Sequence, residues 1–120
     1  MIELIFVIVV LGILATIAVP KFAASRDDAK ISAARATVAA VRSGIVSERQ
    51  QRLLRGDSSY ISDLGDNFVG VLTYAAKDWS RSGNRYSIVI GPDTCYYDYN
   101  STSGKFLPYN ATGLCRNVDF

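Results

Sequence analysis

The side chains that could do chemistry are few in this sequence of 120 residues. It contains no histidine, so it offers no imidazole base and no histidine metal ligand. Two cysteines are too few for a zinc or iron–sulfur site, and no glycine-rich phosphate-binding loop occurs. An enzyme is therefore the least favoured class of function, and we predict no catalytic residue, no metal site and no cofactor.

Cys95 and Cys115 enclose nineteen residues near the end of the sequence. If they are bonded, the chain-entropy estimate gives a stabilisation of about 3 kcal/mol. Such a bond suits a small domain in an oxidising compartment. The alternative, a nucleophilic cysteine, lacks a histidine that would activate it. We therefore expect a structural disulfide.

Two asparagines stand in the Asn-x-Ser/Thr pattern of N-glycosylation, Asn100 and Asn110. The run from Asp98 to Thr102 also resembles the extended acceptor sequence of bacterial N-glycosylation, which has an acidic residue two places before the asparagine. The alternative is turn formation, which asparagine and serine favour. Both asparagines are candidate modification sites.

The first nineteen residues contain one charged side chain, Glu3, followed by sixteen uncharged residues from Leu4 to Val19. A helix of that length spans roughly 24 Å, against about 30 Å for a bilayer core. We predict that residues 1–22 contact a membrane, and a buried soluble helix is the alternative. Pro20 predicts a kink, and Gly12 is a second weak point of the helix.

Apolar residues then recur at steps of three and four, which predicts that the helix continues as an amphipathic segment over residues 23–55. Gly56 and the polar residues after it predict its end. A helix of 55 residues is about 80 Å long, whereas a globule of this size has a radius of gyration of about 14 Å. We expect the apolar half to project and to be covered by lipid or by other copies of the chain. The predicted apolar stripe consists of Ile31, Ala34, Val38, Val41 and Ile45.

Residues 56–120 are predicted to form a loop over 57–85, with at most one short helical turn, followed by an antiparallel sheet. Strands are expected at 86–90, 95–99 and 105–109, and Pro108 places the last of them at a sheet edge. The predicted fold class is α+β, with a long N-terminal helix packed on a small antiparallel sheet.

Two further binding functions compete with simpler interpretations. Aromatic side chains in the predicted strands could stack nucleic-acid bases, but packing of the sheet explains them better. Residues 1–55 carry 8 Lys+Arg and 4 Asp+Glu, whereas residues 56–120 carry 5 and 7, so the basic part is the helix. We expect no nucleic-acid partner.

The acidic residues that could ligate calcium match no established spacing: Asp57, Asp63 and Asp66, with Asn67.

The N-terminal residues resemble the signature of type IV pilins and type II secretion pseudopilins. The resemblance lies in Ile2-Glu3-Leu4, the apolar run containing Gly12, and Ala18-Val19-Pro20-Lys21-Phe22, and it covers about 25 residues closely. The long helix, the variable middle, the sheet and the late cysteine pair resemble the rest of a small type IVa-like pilin.

The resemblance implies that a prepilin peptidase removes a short basic leader and that the helix stays in the inner membrane until the subunit joins a filament. Glu3 matches a buried glutamate that meets the terminal ammonium of a neighbouring subunit. Gly12 and Pro20 match the ends of a segment that is often unwound in pilus filaments. The family's mature chain usually begins with Phe-Thr before the residue matching Met1, and this sequence lacks both, so either it has been trimmed or its terminus is unusual. We also hypothesise that a basic leader preceded Met1.

These implications predict a structural subunit of a type IV pilus-like filament, a helical homo-oligomer built by the pilus assembly machinery. Its expected location is the bacterial inner membrane before assembly and the periplasm or cell surface afterwards. Two alternatives stay open: a pseudopilin of a type II secretion system, and a membrane-anchored periplasmic binding module. The major pseudopilins bind calcium near their C-terminus, whereas that region of this sequence has only Asp119 nearby and a cysteine pair instead, which favours the pilus.

Overall fold

The computed structural model describes the backbone of residues 1–118 and the side chains of residues 1–17 and 26–118. Over these residues the chain is α+β, as predicted, with one long helix and a four-stranded antiparallel sheet. It divides into two compact units, Met1–Lys30 and Ile31–Phe120, which are treated separately below. The elements in chain order are helix α1 (Ile2–Leu54), a short helical turn (Asp66–Phe68), strands β1 (Trp79–Ser82), β2 (Arg85–Ile90), β3 (Asp93–Asn100) and β4 (Lys105–Pro108), and a second helical turn (Gly113–Asn117).

The C-terminal end of helix α1 is set by Gly56, as the sequence predicts. Gly56 has a φ of +88°, a conformation that glycine adopts without steric cost. Its N–H donates to the Leu53 carbonyl at 3.0 Å, and the N–H of Asp57 donates to the Arg52 carbonyl at 2.9 Å. This pair of hydrogen bonds is the Schellman motif, which satisfies carbonyl groups left over at a helix end.

In the first unit the backbone of α1 is helical through both Gly12 and Pro20. The kink predicted at Pro20 falls within residues 18–25, whose side chains lie outside the described residues. Over the described part of the chain, no helix is both long enough and apolar enough to cross a membrane.

In the second unit the predicted stripe of α1 forms one wall of the core. All five of its residues are buried, between 0% and 7% exposed. They pack with the side chains on one face of the sheet, where buried residues alternate with exposed ones along β2 and β3. The buried residues of the strands recur every two positions and those of the helix about every 3.6 positions, and both sets therefore pack in a single core. The buried sheet residues are Tyr86, Ile88, Ile90, Cys95, Tyr97, Tyr99 and Phe106.

The sheet has the order β1-β2-β3-β4, so β4 is an edge strand, as Pro108 predicts. Arg42 of helix α1 reaches this edge, where its Nε and Nη2 donate to the Phe106 carbonyl at 3.0 and 2.9 Å. An exposed edge is a template for unwanted strand pairing. The arginine occupies one of its acceptors and joins the helix to the sheet.

The prediction of a continuous loop over 57–85 was wrong at its end, because Trp79–Ser82 forms strand β1. This segment has one apolar residue, so it lacks the alternation that indicates a strand. It becomes a strand because the edge of β2 is available, with Trp79 opposite Ile88 and Arg81 opposite Tyr86. Three strands were predicted, and the structure has four.

The rest of that loop is held in place by Phe68, which is fully buried. Its ring stacks on Tyr86 with centroids 4.5 Å apart and meets the edge of Trp79 at 5.1 Å. Phe68 and its neighbour Asn67 both have positive φ, +62° and +53°, which costs bulky residues conformational energy. Burial of the ring offsets that cost.

The hairpin between β3 and β4 packs against the chain that follows helix α1. Gly104 in this turn has a φ of +69°, and a Cβ atom built on it would lie 2.2 Å from the Tyr60 ring. The Arg49 guanidinium also lies over that ring, 4.4 Å from the ring centroid. The glycine is thus required both for its backbone conformation and for the close approach of Tyr60.

We predict that Gly104→Ala destabilises the protein more than Gly83→Ala does. Gly83 has a similar φ of +63° but no atom within 4 Å of a built Cβ. The control variant, Gly83→Ala, should therefore lower the free energy of unfolding only by the cost of placing alanine at positive φ, about 1–2 kcal/mol. Gly104→Ala should lose a further 1–3 kcal/mol, roughly, from overpacking. Urea unfolding followed by the fluorescence of Trp79, the single tryptophan, measures the difference; equal losses would contradict the packing role of Gly104.

Candidate functional site

The most distinctive surface of the described chain is the apolar stem, which we define as residues 1–17. Every side chain in it is exposed, and the exposed fraction is 68% for Phe6, 60% for Leu11 and 54% for Ile17. Burying one such side chain fully is worth about 1.5–3 kcal/mol. A contiguous apolar surface of this kind marks an interaction site. Its large exposed apolar residues are Met1, Ile2, Leu4, Ile5, Phe6, Val7, Ile8, Val9, Val10, Leu11, Ile13, Leu14 and Ile17.

The apolar stem has no polar face. Between Leu4 and Ile17 the one polar side chain is Thr16, whose hydroxyl donates to the Ile13 carbonyl at 2.7 Å. That hydrogen bond satisfies the hydroxyl within the helix, so covering Thr16 leaves no unpaired donor. The stem can therefore accept apolar neighbours on every side, which an amphipathic helix cannot do.

Gly12 lies in the middle of the apolar stem, and a Cβ atom built on it would meet nothing within 4 Å. Glycine inside a helix is less favourable than alanine by about 1 kcal/mol. Elsewhere on α1, Gly44 has a local reason, because its Cβ would lie 2.7 Å from the Val71 carbonyl oxygen. The packing described for the single chain provides no such reason for Gly12.

Glu3 lies in the first turn of α1, where the helix dipole favours negative charge. Its side chain is exposed, and it forms no ion pair with the side chains that the structure describes. Water solvates the carboxylate in this state. Any apolar cover over the stem would remove that water and leave the charge in need of a cation.

Cys95 and Cys115 form a disulfide, with 5.4 Å between their Cα atoms, and both residues are buried. The bond joins β3 to the helical turn Gly113–Asn117. The same turn is held by Asp93, whose Oδ2 accepts a hydrogen bond from the Leu114 N–H at 2.9 Å. Arg35 of helix α1 also donates to the Asn117 carbonyl. The bond therefore fixes the C-terminal segment against the sheet.

Two of the three acidic residues considered for calcium, Asp63 and Asp66, pair with Arg81. Asp57 lies near Arg52, with 3.7 Å between Oδ2 and Nη1. Arg81 donates through Nη2 to Asp63 at 2.7 Å and through Nη1 to Asp66 at 3.2 Å. A backbone hydrogen bond from the Gly65 N–H and the contact with Arg81 lower the pKa of Asp63. Among the described residues, no three cysteine or acidic side chains form a cluster that could hold a metal ion.

The aromatic residues of the sheet divide between its two faces. Tyr97 and Phe106 stack inside the core with ring centroids 5.1 Å apart. On the outer face, Tyr109 covers the guanidinium of Arg85, 3.9 Å from the ring centroid, and Arg85 forms two hydrogen bonds with Asp98, at 2.7 and 3.0 Å. Most aromatic side chains of the strands therefore pack in the core, which is the interpretation that the sequence favours over base stacking.

The two candidate glycosylation sites occupy different surroundings. Asn100 is the last residue of β3 and is exposed, whereas Asn110 follows β4 and is half-buried. Both sites have the same Asn-x-Thr spacing, so the sequence pattern does not distinguish them. The two asparagine side chains differ in their hydrogen bonds.

Comparison with protein-family models, with curated proteins and with solved structures gives no match to this chain. The resemblance to pilins consequently depends on the N-terminal residues given above.

We predict that the double substitution of Cys95 and Cys115 by serine lowers the free energy of unfolding by about 3 kcal/mol. The physical reason is the greater freedom of the unfolded chain together with the loss of two buried side chains. Urea unfolding of the oxidised protein and of the variant, followed by Trp79 fluorescence, checks this value. Both sulfurs lie in buried residues, so we also expect the bond to resist reductant under native conditions. Equal stability of the two proteins would contradict a structural role for the disulfide.

Proposed function

We propose that this chain is the structural subunit of a type IV pilus-like filament with a pilin-like fold. The single observation that supports this function is the apolar stem, exposed on all sides in the single chain. At about 25 cal/mol per Å² of buried apolar area, contact between stems of neighbouring copies provides the driving force for assembly. A helix that is apolar all round is stable in water only when neighbours surround it.

The second unit of the chain needs no such partner. Residues 31–118 bury their own stripe, most of their aromatic side chains and their disulfide in one core. In the proposed filament this unit keeps its fold while the stem changes its surroundings from lipid or solvent to other stems. A location in the inner membrane before assembly stays a prediction from sequence, as does processing by a prepilin peptidase.

Glu3 gives the proposed assembly its register. Covering the stem places the carboxylate in apolar surroundings, where an unpaired charge is costly. Only arrangements that bring a cation to Glu3 avoid that cost, so one stagger between neighbouring helices is selected. The terminal ammonium of a neighbouring subunit is the cation that the resemblance implies.

Gly12 fits the same proposal. The single chain shows no packing reason for glycine at this position, and the cost in a helix is about 1 kcal/mol. In a filament, glycine would permit either close approach of a neighbouring helix or local unwinding of this one. Either use explains a residue that weakens the isolated helix.

We predict that Ile8→Lys in the apolar stem prevents filament formation, whereas Val89→Lys does not. Both side chains are exposed, 60% for Ile8 and 54% for Val89, but Val89 lies on the sheet of the second unit. Loss of one buried side chain and the addition of a buried charge should reduce filament yield by roughly tenfold or more. Filaments sheared from cells and sedimented give the yield.

Three results would contradict the proposal or favour one of its alternatives. Equal yields from the two lysine variants would show that the stem is not the assembly surface. A wild-type chain that stays monomeric in detergent and never enters a polymer would favour the anchored binding module. Loss of enzyme export without loss of surface filaments would favour the pseudopilin.

We also predict that Glu3→Gln disrupts assembly, because the neutral amide no longer selects the stagger that supplies a cation. The control is Glu48→Gln, an acidic residue of the same helix that pairs with Arg52 at 3.3 Å within its own chain. Filament yield is the measurement, and the fold of the second unit is monitored by Trp79 fluorescence. Normal yield from Glu3→Gln would remove Glu3 from the mechanism.

A further inference from the structure

We propose that Asn100 is a site of N-linked glycosylation and that Asn110, although it has the same sequence pattern, is not. The proposal concerns the second unit of the chain and does not depend on filament formation. It is based on what each side-chain amide contacts in the folded protein.

The side-chain oxygen of Asn100 forms hydrogen bonds that orient the side chain, whereas its side-chain nitrogen forms none with the described residues. Its Oδ1 accepts hydrogen bonds from the backbone N–H of Thr102 at 2.9 Å and of Ser103 at 3.3 Å, which makes an Asx-turn. Its Nδ2 has no hydrogen-bond partner among the described residues. Asn100, Thr102 and Ser103 are all exposed at the tip of the β3–β4 hairpin. The reacting atom is therefore accessible and is not committed to the fold.

The hydroxyl-bearing residue of the pattern lies on the same turn. The backbone of Thr102 is tied to Asn100 by the 2.9 Å hydrogen bond, and the Gly104 N–H donates to the Asn100 carbonyl at 2.8 Å. The three residues of the pattern thus form one compact turn in which Asn100 and Thr102 are exposed and Ser101 is half-buried. An enzyme that recognises asparagine and threonine together meets both without unfolding the sheet.

Asn110 uses both ends of its amide to complete the sheet. Its Oδ1 accepts from the Tyr96 N–H at 2.9 Å, and its Nδ2 donates to the Thr94 carbonyl at 3.2 Å. The side chain continues the pairing of β3 beyond the point where β4 ends at Pro108. A sugar on this nitrogen would have to fit against β3, and loss of the bonds would leave backbone groups unpaired. The fold therefore opposes modification at Asn110.

The reaction needs a donor that the chain does not hold, an oligosaccharide linked to a polyprenyl diphosphate. Nδ2 of Asn100 forms a bond to the anomeric carbon of the first sugar, and the bond from that carbon to the diphosphate oxygen breaks. The diphosphate leaves with the electron pair, and the nitrogen loses one proton. The disulfide agrees with the compartment, because disulfides persist in the oxidising environments of secreted chains, where N-glycosylation acts.

Trypsin separates the two asparagines, which makes the test direct. The full chain is isolated from its own cells and reduced, and its peptides are measured by tandem mass spectrometry. Cleavage after Arg85, Lys105 and Arg116 places Asn100 in peptide 86–105 and Asn110 in peptide 106–116. We expect peptide 86–105 to carry the mass of one glycan and peptide 106–116 to have its unmodified mass.

Two variants of Thr102 separate modification from folding. Thr102→Ala removes the hydroxyl but keeps the backbone N–H that Asn100 accepts from, so the turn survives and the glycan should be lost. Thr102→Ser keeps the hydroxyl and should keep the glycan. An unmodified peptide 86–105 from wild type, a glycan on peptide 106–116, or a glycan that persists in Thr102→Ala would each overturn the proposal.

Discussion

The apolar stem is exposed to its surroundings in the single chain, and this exposed apolar surface is the main physical constraint on the protein. Between Leu4 and Ile17 the stem has neither a polar stripe for solvent nor an unpaired polar side chain, since the Thr16 hydroxyl bonds to the backbone of its own helix. Such a surface is costly in water and favourable against apolar neighbours. In the proposed filament Glu3 adds direction to that force, because its carboxylate would restrict which neighbours are acceptable. The proposed filament combines a non-directional attraction with one charge that selects the arrangement.

The second unit closes its core through contacts that join distant parts of the chain. The stripe of α1 supplies one wall, the sheet supplies the other, and arginines of the helix bond to carbonyl groups of residues much later in the sequence: Arg35 to Asn117 and Arg42 to Phe106. The disulfide holds the last segment against β3. A unit with this many cross-connections can keep its fold while the stem exchanges one environment for another.

Glycines and asparagines show how the same residue type acquires different roles from its surroundings. Gly104 leaves space for the Tyr60 ring, whereas a Cβ atom built on Gly12 would contact no atom of the single chain within 4 Å. Asn110 replaces a missing strand with its side chain, whereas Asn100 closes a turn and leaves its nitrogen free of described partners. In both comparisons the group without a contact inside the described chain, a Cβ position at Gly12 and the Nδ2 atom of Asn100, is the better candidate for a role outside it.

The features that depend on local pattern could be predicted from the amino-acid sequence. The bounds of helix α1, its stop at Gly56, the buried stripe and three of the four strands follow from periodicity and turn residues, which are properties of neighbouring positions. Tertiary structure decided the rest. Strand β1 exists because β2 offers it an edge, the carboxylates of Asp63 and Asp66 pair with Arg81, and the asparagines of the two glycosylation patterns differ in their hydrogen bonds. These outcomes depend on residues far apart in sequence, so no local pattern encodes them.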